Sequence, residues 1–207
     1  MNNEKVKELT QKHFDETAGD YNTSHDGKFV KCMYDEILER IVAINPETVL
    51  DLGCGNGNVL KKIMDISNAK LFGLDLSPKM IESAQKKLGE KVTLEVGDAE
   101  KLPYAENQFD IVICNASFHH YPNPDRVLSE IKRVLKNGGI LILGDPTAPF
   151  EWYLKILNWG LKWSNSGDFR IYGAKEITAL LSKNGFQVSG WKKIKNRAFV
   201  INAISEI

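Results

Sequence analysis

The sequence predicts a doubly wound α/β fold: a mostly parallel sheet of about seven strands, with a helical cap before it and an antiparallel hairpin at its C-terminal end. Three observations lead there. Between residues 45 and 147, short apolar runs alternate with amphipathic stretches, the pattern of βαβ units. A glycine-rich turn, Gly53-Cys54-Gly55-Asn56-Gly57, separates the first such run from a helix. Near the C-terminus two apolar runs are joined only by Lys193 to Asn196, too short for a crossover helix and suited to a hairpin.

Taken in order, residues 3–17 have a helical pattern. Residues 29–43 form a second helix, with Val30, Met33, Ile37, Leu38 and Ile41 at helical spacing. Asn45-Pro46 stops it, because a residue before proline avoids the α region. Thr48 to Leu52 is the first strand, and a helix from about Val59 to Asp65 follows the glycines. Lys70 to Asp75 is the second strand. Ser77 caps the next helix, with Pro78 at its first position. A strand at 91–96 leads into the loop GDAEKLPYAENQ. Phe109 to Asn115 is the fourth strand. Asn123-Pro124 starts a helix with Val127, Leu128, Ile131, Val134 and Leu135 on one face. Asn137-Gly138-Gly139 is expected to end it as a glycine cap. The fifth strand, Ile140 to Leu143, ends near Asp145. An aromatic helix at about 149–164, a helix at about 174–184 and strands at about 186–192 and 197–204 complete the chain. In such a sheet a ligand sits outside the carboxyl ends of the strands.

The chain has 207 residues, which suits one domain. Its expected parts are a helical cap over 1–44, a ligand-binding core over 45–147 and a C-terminal segment over 148–207. With 27 basic and 27 acidic side chains there is no global field to attract nucleic acid or anionic lipid. Cys32, Cys54 and Cys114 are too few and scattered for a disulfide framework, so a reducing cytoplasm is the expected setting. The strongest apolar run, Ile140 to Leu143, falls far short of the roughly 18 residues that a membrane span needs. The first ten residues are polar and do not read as a signal peptide.

The candidate chemistry begins where strands end. The glycines after Asp51 let the backbone turn sharply and approach a ligand, and the helix behind them offers free N–H groups. The spacing is GxGxG followed by Asn58, so the dinucleotide pattern GxGxxG fails and a nicotinamide dehydrogenase is disfavoured. A carboxylate at Asp51 repels a pyrophosphate and suits an ammonium group; the alternative is a tight structural turn. Asp75 can accept two hydrogen bonds from ribose hydroxyls or cap the helix after it. Asp98 can accept from an adenine amino group while the Ala99 N–H donates to the ring, or Asp98 is a solvated turn acid.

VLDLGCGNG, GLDLSPKM, GDAEKLPY, FDIVICNASFHHY and RVLKNGGIL occur in that order over about residues 45–145. This set resembles the motifs of class I S-adenosylmethionine-dependent methyltransferases, in the small-molecule branch called methyltransferase type 11, and HFDETAGDYN resembles their N-terminal cap. The resemblance implies a Rossmann-like core, S-adenosylmethionine as cofactor with S-adenosylhomocysteine as product, and methyl transfer to a small molecule by in-line displacement. It also implies a site map. Gly53 and Gly55 line the methionine part, and Asp51 acts on its amino group through the loop or bound water. Asp75 holds the ribose hydroxyls. Leu76 and Met80 pack near the adenine, whose edge Asp98 and Ala99 read. Asn115 lines the site near the sulfonium through its backbone, and Tyr21 lies near the cofactor carboxylate if the N-terminal segment folds over the pocket.

Methyl transfer needs alignment first, and a base only if the acceptor must lose a proton. His119 and His120, just after the fourth strand, are the candidates for base or substrate positioning. His25, beside Asp26, reads as exposed or as part of a lid. No metal is expected: His119-His120 lacks an HExxH context and Asp145 has no adjacent acidic or Asn partner. The cysteines have no evident base partner. Trp152, Trp159 and Trp163 share a helix face, with Phe150 before them and Tyr153 beside them. They read first as core or sheet cover, second as the wall of a pocket for an apolar or aromatic acceptor, and third as a dimer face, so the chain is a monomer or homodimer. Lys192, Lys193, Lys195 and Arg197 read as a solvated turn. The competing readings are a non-catalytic domain that binds the cofactor as a sensor or partner subunit, and an RNA or protein methyltransferase. The neutral charge disfavours the latter, as does Asn115-Ala116-Ser117-Phe118 where an Asn-Pro-Pro-Tyr motif would stand.

Overall fold

The computed structural model describes residues 2–161, 163, 164 and 167–206. Five strands run parallel: β1 (Thr48–Leu52), β2 (Lys70–Asp75), β3 (Val92–Val96), β4 (Phe109–Asn115) and β5 (Leu135–Pro146). β6 (Phe186–Ile194) and β7 (Ala198–Ser205) form the antiparallel hairpin, and β7 also pairs antiparallel with β5. The order is β3-β2-β1-β4-β5-β7-β6, the mostly parallel, doubly wound sheet that the sequence predicts.

Helices cover both faces. They are α1 (Asn3–Thr17), α2 (His25–Val30), α3 (Tyr34–Ile44), α4 (Asn58–Met64), α5 (Pro78–Leu88), α6 (Pro124–Val134), α7 (Glu151–Leu161) and α8 (Ala174–Lys183). Successive strand residues point to opposite faces. Leu50, Leu52, Val112 and Cys114 therefore pack with Val127, Leu128 and Ile131 of α6 and with Ile177 and Leu181 of α8. Val49, Ile111 and Ile113 pack on the other side with Ile37 and Ile41 of α3 and with Leu60 and Ile63 of α4. Burial on both faces is why these strands read as near-continuous apolar runs. From β1 the chain winds outward through β2 and β3, then returns to β4 on the other side. The carboxyl ends of β1 and β4 thus flank the point where the winding reverses, and a crevice opens there.

Three local expectations change. The helix expected over 29–43 is split: α2 ends at Val30, a 3₁₀ turn spans Lys31–Met33, and α3 begins at Tyr34. The tighter turn lets both Val30 and Met33 be buried against the sheet. The glycine cap at 137–139 is not used. α6 ends at an extended Leu135 whose N–H donates to the Ile131 carbonyl, and β5 starts at once. Gly138, at φ 75°, instead serves an irregularity in β5: Phe109 faces Leu135, but Ile111 faces Ile140. The aromatic helix is not core cover. Trp152, Trp159 and Trp163 are 62%, 63% and 65% exposed, and α7 buries only Leu154. α7 ends at Leu161, and Lys162, within the helix expected from sequence, lies outside the described residues.

Asp110 ties the far end of the sheet together. Its Oδ2 accepts from the Glu47 and Thr48 N–H groups at 3.0 and 2.9 Å and from the Thr48 hydroxyl at 2.8 Å. Its Oδ1 accepts from Lys136 at 2.8 Å. Burial opposes ionisation here, but Lys136 and the Thr48 bonds outweigh it and hold the carboxyl below its usual range. A carboxyl depressed in the folded state stabilises above its unfolded pKa, and that contribution is lost as pH falls through the folded value. Asp110→Asn should therefore cost about 2 kcal/mol at pH 7, with the gap closing below pH 4. Urea denaturation at the two pH values measures it, and equal stability of both proteins at pH 7 would contradict it.

Candidate active site

β1 delivers Asp51 to the crevice and the next six residues wrap around it. Gly53, Gly55 and Gly57 all have positive φ, at 74°, 52° and 75°. At Gly53 a Cβ would collide with the Ser117 side chain at 2.5 Å, so the loop after β4 packs directly on the glycine backbone. At Gly55 a Cβ would meet nothing within 4 Å. The Gly55 backbone faces open space, as a cradle for a ligand would. Ser117 ties the two loops, its hydroxyl donating to the Leu52 carbonyl at 2.8 Å. Ala116, beside it, is held at φ 52°, a conformation costly for a residue with a Cβ and common at functional sites.

A cavity runs over these loops. Its lining includes Tyr21, Gly53, Gly55, Asp75, Leu76, Asp98, Ala99 and Asn115, eight of the ten residues that the sequence assigned to a cofactor. Asp51 lines a smaller recess that shares Tyr21, Gly53, Gly55 and Asn115 with it. Met80 is fully buried and outside both linings; its N–H donates to the capping Ser77 Oγ at 3.1 Å.

Electrostatically the recess is rich in buried acceptors. Asp51 is 1% exposed. Its Oδ1, Asn56 Oδ1 and Asn115 Oδ1 are buried acceptors without a hydrogen-bond partner among the described residues. Burial, and then the charge of Asp75, push the Asp51 carboxyl up to about 7. Asp75 accepts from the Gly55 N–H at 2.8 Å and the Ser77 N–H at 2.9 Å. Burial still raises it to about 6, the backbone donors offsetting only part of that cost. Three unpaired acceptors, one of them a carboxylate oxygen, suit an ammonium donor.

α1 lies across the cavity mouth and contributes Lys7, Thr10, Gln11 and Phe14 to its lining. It is fastened at both ends. Lys7 Nζ reaches Asp98 at 2.8 Å and Glu100 at 3.1 Å, and Asp15 accepts from the Ser77 hydroxyl at 2.6 Å. Beyond α1, the Asn22 carbonyl oxygen of the side chain accepts from Asn56 at 3.1 Å and Asn58 at 2.8 Å. Lys7, Asp15 and Asn22 were not singled out from sequence, because a capping helix leaves no local signal of which loop it meets.

A second cavity, of about 740 Å³, adjoins the first and shares Phe14, Tyr21, Ala116 and His120 with it. The chain has four histidines, and His13, His25, His119 and His120 all line this one space. Phe14, Phe29, Val30, Pro146 and Ile171 supply apolar wall. His13 Nε2 meets Asp26 Oδ2 at 2.9 Å; His25 is 93% exposed at the side chain, as the sequence suggested. His119 Nδ1 meets the fully buried Asp145 Oδ1 at 2.8 Å, and its Nε2 lies 3.3 Å from Asp168 Oδ1. Burial alone would lower the His119 pKa, but Asp145 and then Asp168 more than reverse it, to about 10. Burial, then the neighbouring His119 charge, lowers His120 to about 3. Asp168, 48 or 49 positions beyond the two histidines, was not found from sequence. Cys54 and Cys114 are buried and Cys32 is half-buried; all three are free thiols.

Comparison with known proteins agrees with this geometry. Residues 50–143 match the family model described as a methyltransferase domain. A demethylmenaquinone methyltransferase of Thermotoga maritima is 30% identical over 213 residues, covering 89% of this chain and 91% of that protein. One from Lactobacillus johnsonii is 35% identical over 167 residues, covering 70% and 68%. The crystal structure of magnesium protoporphyrin IX methyltransferase from Synechocystis with bound S-adenosylhomocysteine superposes with a TM-score of 0.76 at 19% identity, covering 97% of this chain and 100% of that one.

The raised Asp51 carboxyl makes a stability prediction. Between pH 4 and 7 the unfolded carboxyl has lost its proton while the folded one keeps it, so stability falls as pH rises through that window. Asp51→Asn removes this contribution. The variant should gain on the wild type between pH 5 and pH 8, by no more than about 4 kcal/mol for a shift of roughly three units. Denaturant titrations at both pH values check it; an unchanged difference between the proteins would contradict the assignment.

Proposed function

The chain belongs to the S-adenosylmethionine-dependent methyltransferases, and on that premise we propose that it methylates a small, flat acceptor of apolar or aromatic character bound in the histidine-lined cavity. The observation that carries this reading is the junction of the two cavities at Phe14, Tyr21, Ala116 and His120. A methyl group held on one side of that junction faces an acceptor on the other, as in-line displacement requires.

S-adenosylmethionine supplies an electrophilic methyl group on a sulfonium; the chain supplies binding, alignment and exclusion of water. We assign its ammonium group to the recess, where Asp51, Asn56 and Asn115 offer unpartnered oxygens. Gly53 and Gly55 flank the methionine part with bare backbone. Asp75 keeps lone pairs for the ribose hydroxyls beside its two backbone donors. Leu76 and Ala99 sandwich the adenine, Asp98 and the Ala99 N–H read its edge, and Met80 supports this end from behind through Ser77. Tyr21 closes the carboxylate end. α1 acts as the lid, fastened by Lys7 and Asp15. His120 positions the acceptor at the junction, and His119 braces it.

The three segments act as one unit over residues 1–207, since the cap 1–44 furnishes a wall to a site built by 45–147, and 148–207 furnishes Asp168 and Ile171. A small acceptor, rather than nucleic acid or protein, is supported by the charge balance and by the C-terminal basic cluster. There Lys192 pairs with Glu36 and Arg197 lies over the Phe29 ring. No helix among the described residues is long and apolar enough to cross a membrane. The three unpaired thiols support a cytoplasmic setting, and we read the working form as a monomer or homodimer.

Release of S-adenosylhomocysteine should be followed with a panel of hydroquinones, naphthols and catechols beside polar aliphatic amines. Turnover with the hydroxylated aromatics is expected. Turnover only with the amines would contradict the acceptor class, and tight cofactor binding with no turnover on any acceptor would favour the sensor reading. Asp75→Ala should weaken cofactor binding about 10- to 100-fold, the worth of hydrogen bonds to a charged group; unchanged affinity in calorimetry would remove its ribose role. His120→Ala should raise the acceptor KM about tenfold or more with cofactor affinity retained, and wild-type kinetics in that variant would remove its positioning role.

A further inference from the structure

We propose that His119, His120 and Asp168 form a binding site for one divalent first-row transition-metal ion, held by two imidazole nitrogens and a carboxylate with its open positions toward the acceptor cavity. One ligand atom from each of the three lies within 4.8 Å of the others. Asp168 Oδ1 is 3.3 Å from His119 Nε2 and 3.4 Å from His120 Nδ1. Two ligands at about 2.0–2.1 Å from a tetrahedral ion stand about 3.3–3.4 Å apart, so both edges already have the required length. The two imidazole rings are 4.0 Å apart between centroids and tilted by 38°.

The outer shell is in place as well. His119 Nδ1 is engaged by Asp145 at 2.8 Å, which leaves Nε2 as the coordinating atom, and carboxylate–imidazole–metal relays orient ligands in this way. The other oxygen of Asp145 is buried without a hydrogen-bond partner among the described residues. The loop that carries Asp168 is pinned to the same histidine, since the Phe169 and Arg170 N–H groups both donate to the His119 carbonyl at 2.8 and 2.9 Å. If His120 Nδ1 turns from the Gly167 carbonyl to an ion, that carbonyl keeps the Thr10 hydroxyl at 3.1 Å. Asp145 and Asp168 bring two carboxylates to this small volume, and a divalent ion balances both. Two imidazoles and one carboxylate with open positions suit Fe²⁺, Co²⁺ or Zn²⁺ rather than Mg²⁺ or Ca²⁺. All three side chains line the second cavity, so an acceptor oxygen could complete the coordination. That role rests on reading this cavity as the acceptor's; binding of the ion does not.

The test uses the full chain freed of metal by chelation and titrated with Co²⁺, whose visible ligand-field bands report coordination directly. One equivalent should bind and develop those bands, and Zn²⁺ should displace it. Asp168→Asn, at a side chain 25% exposed, and His120→Gln should each abolish the bands while still binding S-adenosylmethionine, which also certifies that they fold. Asp145→Asn should weaken Co²⁺ binding about 10- to 100-fold. His25→Ala, in the separate His13–Asp26–His25 group, should bind as wild type. The proposal is overturned if the wild type develops no bands, or if Asp168→Asn and His120→Gln bind as it does, or if His25→Ala alone loses the ion. The methylation panel is read separately, so failure of the ion site leaves the acceptor reading standing, and the converse also holds.

Discussion

A carboxylate buried without a counter-charge near the end of β1 is the constraint on which the rest of this site depends. Burying Asp51 at 1% exposure costs several kcal/mol unless it is paired or protonated. Asp75, one strand over, makes matters worse by adding a second buried carboxylate. The fold tolerates the arrangement because the rest of β1 and β4 is apolar and tightly packed, and because a cationic ligand can supply the missing partner. The glycine loop follows from the same requirement. To leave room for a ligand above Asp51, the backbone must turn with positive φ at three places and carry no Cβ toward Ser117.

The second layer of the site is built by elements distant in sequence. α1 closes one cavity through Lys7, Phe14 and Asp15, while the loop with Asp168 closes the other against His119 and His120. Phe14 is the pivot. It packs edge-on to both Tyr21 and His120 and lines both cavities. Movement of α1 would therefore alter the walls of both cavities together. The exposed aromatic face of α7 lies outside the linings of both cavities, and the chemistry assigned here does not use it.

Legibility followed the range of the interactions. The parallel strands, the Ser77-Pro78 helix start and the strand-end acids Asp51 and Asp75 are written in local pattern, because a strand buried on both faces must be apolar until it reaches its ligand. The split at Lys31–Met33 was not readable, since Val30, Met33, Ile37 and Ile41 have helical spacing whether or not a 3₁₀ turn intervenes. Gly138 was misread because a glycine after a helix and a glycine at a strand irregularity share the same positive φ. Trp152, Trp159 and Trp163 read first as core or sheet cover from their shared helix face, and a shared face does not say whether that face is buried. Asp168 and Lys7 gave no signal at all: their partners lie 49 and 91 positions away, and nothing in an unaligned sequence marks such a pair.

The central claim is that Asp51 waits for a cation. The most direct measurement is calorimetric titration of the protein with S-adenosylmethionine at pH 6, in two buffers of different ionisation enthalpy. With its carboxyl pushed up to about 7, Asp51 is mostly protonated at that pH, and an ammonium group bound beside it should expel the proton. Release of about one proton per cofactor bound is expected at pH 6 and is absent in Asp51→Asn. Binding with no net proton release at pH 6, or the same release in Asp51→Asn, would contradict it.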